Sequence, residues 1–398
     1  MSIAKVQKYA SNNYKTIEKV MIRGKGIYVF DESNKKYIDC IAGYSALNQG
    51  HCHPNIIKAA EIQMKKLTLT SRAYHNDKMG EFCEQLSKTF NYEKVLLMNG
   101  GVESGEAAIK IARKWGYEKK GVPENEAQSV FFNNNFWGRS LAACSSSNDP
   151  YCYKNFGPHV PNFHLLDYNS TNQLHDFLDK NPHTVSVMLE PIQGEGGIII
   201  PEKNYLQDVR QLCNEYNVLM IADEVQTGLG RTGKMLACEH YHVRPDILCL
   251  GKALSGGFYP ISAVLANESI MSVLTPGTHG STFGGNPLAS AIGMEALNVL
   301  ERENLSENAE KLGDYFRQYI SIHNNSTSVK AVRGIGLLNA IDFHTQEKAD
   351  EFVERLIKKR VFTKTTRDTT VRITPPLVIT DTEMEMLINK IIKVLNKL

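Results

Sequence analysis

Val218-Leu219-Met220-Ile221-Ala222 runs without a polar residue into Asp223-Glu224-Val225-Gln226-Thr227-Gly228. An apolar run with no alternation is what a strand buried on both faces requires. A second run, Ile247-Leu248-Cys249-Leu250, leads through Gly251 to Lys252 and then Ala253-Leu254-Ser255-Gly256-Gly257. Similar runs occupy residues 95–98, 129–132, 185–189 and 261–266. Between them, residues 106–117 and 205–216 carry apolar side chains at helical spacing. Strands alternating with helices over this length predict an α/β fold, a mostly parallel sheet flanked by helices. Ligands bind such sheets at the carboxyl ends of the strands. The residues just past each run are therefore the ones to weigh.

Outward from this centre the pattern changes twice. Residues 24–39 predict a β-hairpin around a polar Asp-Glu-Ser-Asn turn. After about residue 305, helical stretches at 306–322 and 347–359 surround short strands at 329–333, 338–343 and 371–373. A capping box, Thr382-x-x-Glu385, is expected to start the last helix. Met384, Leu387, Ile388, Ile391, Leu395 and Leu398 form its buried stripe. The expected organisation is an N-terminal segment with the hairpin (1–48), a large α/β domain (49–305) and a smaller α+β domain (306–398) packed with the hairpin.

Composition narrows the function. Of 398 residues, 45 are Lys or Arg and 43 Asp or Glu, a net charge of +2 that gives no reason to expect nucleic acid or an anionic membrane. No apolar run approaches the roughly 18–20 residues of a membrane helix. The first residues show no secretory signal. Eight dispersed cysteines without a C-x-x-C pair suggest reduced thiols in a cytoplasmic compartment. His51, Cys52 and His53 lie close together, but with no second ligand cluster they are expected to form a packed loop and not a metal site.

Asp223 and Lys252 stand at the ends of two buried runs. Most acids after a strand are caps, and most lysines are solvated surface charges. A lysine leaving a buried strand is a less common placement. Burial would lower its pKa and free a neutral amine to condense with an aldehyde. An Asp beside it could keep a pyridine nitrogen protonated. Together they suit pyridoxal 5'-phosphate. The turn Asn99-Gly100-Gly101-Val102-Glu103-Ser104-Gly105 could hold its phosphate at a helix N-terminus. It could equally bind a nucleotide or be a plain turn.

The combination is more specific than its parts. Over essentially its full length the chain resembles the class III (fold type I) pyridoxal-phosphate-dependent aminotransferases, most of all those acting on ornithine. The resemblance rests on Tyr44 to Pro54, Phe136-Trp137-Gly138-Arg139, Glu190-Pro191-Ile192-Gln193-Gly194-Glu195, Ala222 to Gly228, Gly251 to Gly257, His279 to Pro287, and Arg372 before Pro375-Pro376. It implies that Lys252 holds the cofactor and shuttles the proton, and that Asp223 pairs with the ring nitrogen. Gln226 would bond the ring hydroxyl oxygen and Phe136 stack on the ring. Gly101 and Val102 would contact the phosphate. Ser281 belongs with the cofactor-binding residues, and Thr282 would reach the cofactor phosphate of a partner subunit, implying a homodimer with composite sites. Without the joint pattern, Phe136 and Val102 would pass as core and Thr282 as a turn residue.

The same resemblance implies substrate roles. Tyr14 and Arg139 match residues that hold the α-carboxylate of ornithine, and Tyr44 one that lines the pocket near its α-amine. Glu195 matches an acid that covers Arg372 until 2-oxoglutarate arrives, when the guanidinium grips a carboxylate bidentately. Two positions depart from the family. Gly100 replaces a usual Thr or Ser, and Tyr14 is followed by Lys15-Thr16-Ile17, not His-Pro. The implied activity is transfer of the δ-amino group of ornithine to 2-oxoglutarate. The rivals are a related ω-aminotransferase for acetylornithine or 4-aminobutyrate, a glutamate-semialdehyde aminomutase, a non-catalytic binding relative, and a nucleotide-binding enzyme. The last has no Walker lysine and no ribose-binding acid to support it.

Overall fold

The computed structural model describes residues 2–398. At its centre is a seven-stranded sheet. In spatial order the strands are Lys94–Met98, Ser262–Ala266, Ile247–Leu250, Leu219–Asp223, Thr184–Leu189, Gln128–Phe132 and Phe163–Leu166. The last five pair in parallel. Ser262–Ala266 runs antiparallel to both its neighbours, so Lys94–Met98 points the same way as the other five. All six expected strands are present. The seventh, Phe163–Leu166, was not expected. It lies at the sheet edge with only Leu166 fully buried, so it lacks the continuous apolar run that marks the others.

The central strands are buried throughout. Because successive side chains point to opposite faces, Ile247 and Cys249 enter one core cluster while Leu248 and Leu250 enter another. Helix Gly101–Trp115 packs Ala107, Ala108, Ile111 and Ala112 against the first face. Leu206 and Val209 of helix Tyr205–Glu215 pack with Val187, Leu189 and Met220 on another. Each fully buried Leu, Val or Ile contributes roughly 1.5–3 kcal/mol. That explains why the sheet tolerates charged residues only at its ends.

Two smaller sheets flank this unit. One comprises Met21–Lys25, Tyr28–Asp31, Lys36–Asp39 and Val361–Phe362. The expected hairpin is there, with its turn between Asp31 and Lys36, but a further strand precedes it through the turn at Gly26. Val361–Phe362 joins in parallel register with Ile38 and Asp39, tying the C-terminal segment to the N-terminal one. The other sheet is antiparallel, in the order Val329–Ile335, Leu338–Phe343, Thr370–Ile373 and Thr365–Thr366.

The last helix, Asp381–Leu395, corrects one expectation. Its capping box is Thr380 with Glu383, not Thr382 with Glu385. Thr380 has extended backbone and its hydroxyl accepts the Glu383 N–H, so the helix begins before Thr382. It also stops at Leu395, short of Leu398. The 51–53 loop is packed by ordinary pairs, His51 Nε2 to Asp39 at 2.9 Å and His53 Nε2 to Glu303 at 3.0 Å.

Candidate active site

Three adjacent parallel strands each deliver a charged residue at their carboxyl ends. Glu190 follows Thr184–Leu189, Asp223 closes Leu219–Asp223, and Lys252 lies just past Ile247–Leu250. All three line one cavity of about 160 Å³ with Gly101, Val102, Phe136, Trp137, Gly138, Glu195, Val225 and Gln226. Lys252 has a φ of +42°, a left-handed conformation that turns the chain sharply off its strand.

Burial dominates the electrostatics here. It pushes the Asp223 carboxyl up to about 6, against the Val225 N–H, which donates to Oδ1 at 3.0 Å, and the Lys252 charge. Burial and then the neighbouring Asp223 raise Glu190 to about 8, opposed by N–H bonds from Gly194 and Phe136. Those bonds are 3.0 and 2.9 Å long. Burial lowers Lys252, while Asp223, Glu195 and Glu190 pull the other way. Proton donors and acceptors with shifted affinities thus share one cavity.

Opposite these groups the helix Gly101–Trp115 opens. It starts two residues past Asn99, five earlier than its apolar periodicity predicts, so Gly101 and Val102 are its first turn. Gly100 is its N-cap and provides no side-chain cap, and the first two helical residues, Gly101 and Val102, line the cavity. Asn99 N and Nδ2 both donate to Glu103 at 2.9 Å, and Ser262 Oγ donates to the Gly100 carbonyl at 2.8 Å. A Cβ at Gly101 would meet Val225 Cγ1 at 2.8 Å, so only glycine leaves this approach open.

A second cluster adjoins the first. The Arg372 guanidinium, buried on strand Thr370–Ile373, is ion-paired with Glu195. Its Nε donates to Thr366 Oγ1 at 2.8 Å and Nη1 to Gln226 Oε1 at 3.3 Å. The Gln226 amide in turn donates to Glu195 at 3.2 Å. Burial favours the neutral Glu195 carboxyl, but the Arg372 charge and hydrogen bond outweigh it and hold the group below the usual carboxylate range. Arg372 also lies 5.6 Å over the Tyr44 ring. Tyr44 sits in a turn, Ala42 to Ser45, whose four residues all have φ between 46° and 74°. Left-handed non-glycine residues cost roughly 1–2 kcal/mol each. The strain is concentrated beside the site, where surrounding packing holds it.

The fold assembles most of the residues singled out from the sequence. Lys252, Asp223, Gln226, Phe136, Gly101, Val102 and Glu195 line the cavity. Arg139 is exposed, 5.7 Å from the Phe136 ring. Ser281 Oγ accepts from Asn99 Nδ2 at 3.0 Å, beside the phosphate turn. Thr282 and Tyr14 are exposed and line no part of the cavity in the single chain. Glu190 and Val225 were not singled out. Glu190 obeys the same strand-end rule as Asp223, and that rule would have found it. Val225, two residues past the same strand, carries no comparable signal in the sequence.

The donors suit the three ends of pyridoxal phosphate: an amine for its aldehyde, a carboxylate for its ring nitrogen and a helix N-terminus for its phosphate. Phe136 and Val225 offer apolar surface for the ring. This fold with this site defines a pyridoxal-phosphate-dependent transferase of fold type I. A model of the class III aminotransferases matches residues 9–395, and the chain belongs to that family. It is 50% identical over 381 residues to the mitochondrial ornithine aminotransferase of Drosophila melanogaster, covering 96% of this chain and 88% of that one. A solved ornithine aminotransferase from Toxoplasma gondii, with partial occupancy of the cofactor at its active site, superposes with a TM-score of 0.97 at 47% identity, covering 99% of this chain and 93% of that one. The acetylornithine aminotransferase of Elizabethkingia anophelis superposes at 0.91 with 43% identity, covering 100% and 98%.

Proposed function

We propose that this aminotransferase moves the δ-amino group of L-ornithine to 2-oxoglutarate, giving glutamate 5-semialdehyde and glutamate. One observation carries the substrate reading: Arg372 is covered by Glu195 at the edge of the Lys252 cavity. With its cation neutralised, Arg372 offers an α-amino acid no free partner for its carboxylate. A diamino acid held from the far end by Arg139 and Tyr14 then presents its distal amine to the reacting centre. When a dicarboxylic oxo acid enters, Glu195 turns away and Arg372 takes a carboxylate with its planar fork.

When bound, pyridoxal phosphate supplies an electron sink for the carbon that loses its proton. The remaining work falls to the chain. Lys252 Nζ would anchor the cofactor through its aldehyde and would hold the proton that moves during the exchange. Asp223 would hold the ring nitrogen protonated. Gln226 would bond its ring hydroxyl, Phe136 would give the ring apolar contact, and Gly101, Val102 and Ser281 would hold the phosphate end. Thr282 serves the phosphate of a partner subunit, so the working form is a homodimer with composite sites. The division at 1–48, 49–305 and 306–398 sets these residues where three segments meet. All eight cysteines are free, which suits a cytoplasmic enzyme of ornithine, arginine and proline metabolism.

Turnover of ornithine, acetylornithine and 4-aminobutyrate, each with 2-oxoglutarate, tests the substrate reading. Ornithine should be the fastest donor by more than tenfold. Faster turnover of acetylornithine would move the enzyme to the other specificity.

A further inference from the structure

Arg372 is not the only cation at its end of the site. The Lys364 ammonium lies 5.0 Å over the Tyr44 ring and 3.4 Å from the Tyr44 hydroxyl. Arg372 sits over the same ring at 5.6 Å. The two residues are also joined through the backbone: Arg372 N donates to the Lys364 carbonyl at 3.3 Å. Lys364, Arg372 and Tyr44 line one small cavity with Thr363 and Thr374. Their charges are handled differently. Arg372 is neutralised by Glu195, whereas Lys364 forms no ion pair among the described residues. A lysine placed only to solvate a surface would not need to share an aromatic ring with a substrate-facing arginine.

We propose that Lys364 is a specificity residue, a second cation that draws a carboxylate to the Arg372 end of the pocket in the oxo-acid half-reaction. The inference rests on the reading of Arg372 given above. A dicarboxylic oxo acid brings two negative charges and must displace Glu195 from Arg372. Lys364 lowers that barrier by offering a positive charge that Glu195 does not cover. Ornithine, which enters while Glu195 is in place and carries cationic amines, gains nothing from it. The lysine therefore discriminates between the two substrates of a single site. Its pull acts through partly solvated space, so the effect is modest and screened by salt.

The test uses Lys364→Gln and Lys364→Arg in the holoenzyme. In Lys364→Gln, the KM for 2-oxoglutarate should rise roughly three- to tenfold. Its kcat and its half-reaction with ornithine should stay within about twofold. Lys364→Arg should restore most of the loss. Calorimetric binding of glutarate, an unreactive dicarboxylate, should weaken by the same factor and lose most of its salt dependence. An unchanged KM and glutarate affinity would overturn the proposal. So would a parallel loss in the ornithine half-reaction, which would make Lys364 a mere support for Tyr44. Failure of wild-type protein to accept ornithine would instead sink the substrate reading, while the 2-oxoglutarate and glutarate arms would still decide Lys364.

Discussion

Lys252 sits where burial and three carboxylates pull its proton affinity in opposite directions. An amine in that balance can be neutral when it attacks and charged when it carries a proton. Borohydride reduction of the holoenzyme followed by peptide mass mapping should place the cofactor on Lys252, and Lys252→Ala should abolish turnover. A label on another lysine would refute the assignment. Glu195 makes a different prediction. Its folded pKa lies below the ordinary 4.5, so between the two values the unfolded chain binds more protons. The ion pair therefore contributes stability above pH 4.5 that is lost as pH falls through the lower, folded value. Glu195→Gln should show a shallower decline of Tm in that acid window, and an unchanged slope would mean the pair is not formed in solution. Kinetically, Glu195→Ala should open Arg372, speeding the half-reaction with glutamate and slowing that with ornithine. The Arg372 side chain is only 5% exposed and that of Glu195 26%. The shift should fall between the about 0–1 kcal/mol of an exposed pair and the about 3–5 kcal/mol of a buried one. Stopped-flow spectra of the two half-reactions would measure it. Both side chains were legible as family matches. Their pairing was implied by the same resemblance, but the Gln226 bridge between them was not legible, because residues 195, 226 and 372 meet only through folding.

At the level of elements, buried strands were the plainest signal, because a strand covered on both faces can carry almost no polar residue. Helix starts were less plain. The helix at Gly101 begins on residues with no apolar periodicity, since its first turn faces the cavity and not the core. The last helix offered two Thr-x-x-Glu frames two residues apart, and only backbone conformation distinguished them. This difference is measurable. Thr380→Ala removes an N-cap hydroxyl and should cost about 1 kcal/mol, visible as a lower Tm or denaturation midpoint. Thr382→Ala, inside the first turn, should change stability by less than about 0.5 kcal/mol. The reverse order would mean that the helix starts at the later frame.

Across the whole molecule, one buried side chain joins segments remote in sequence. Arg231 has no exposed surface and donates to Asn48 Oδ1 at 2.6 Å, Leu337 O at 3.0 Å and Pro375 O at 2.7 Å. Burial lowers its pKa to about 9. Arg372 stands three residues before Pro375, so this clasp helps set the substrate end of the site relative to the Lys252 end. Thr282 remains exposed on the single chain, as a residue serving a neighbour's site would be. Two inactive variants, Lys252→Ala and Thr282→Arg, should therefore regain partial activity when mixed and allowed to exchange subunits, since one hybrid site has both native residues. Full activity in a species shown to be monomeric by sedimentation would rule out composite sites.

The sequence alone determined the buried strands of the sheet and the strand ends that carry Asp223 and Lys252, because burial on both faces and a charge at a strand terminus are local constraints. It also carried the family, through motifs that recur in fixed order. Only the tertiary structure decided between neighbours that look alike in a line of residues. Asp223 and Glu224 are adjacent acids, yet Asp223 lines the cavity while Glu224 accepts the Ala237 and Cys238 N–H groups at 3.0 and 2.8 Å. Successive side chains leave a strand on opposite sides, and what lies on each side is set by segments far away in the chain. The same holds for Lys364, whose meaning comes from sharing the Tyr44 ring with Arg372, across 320 positions of sequence.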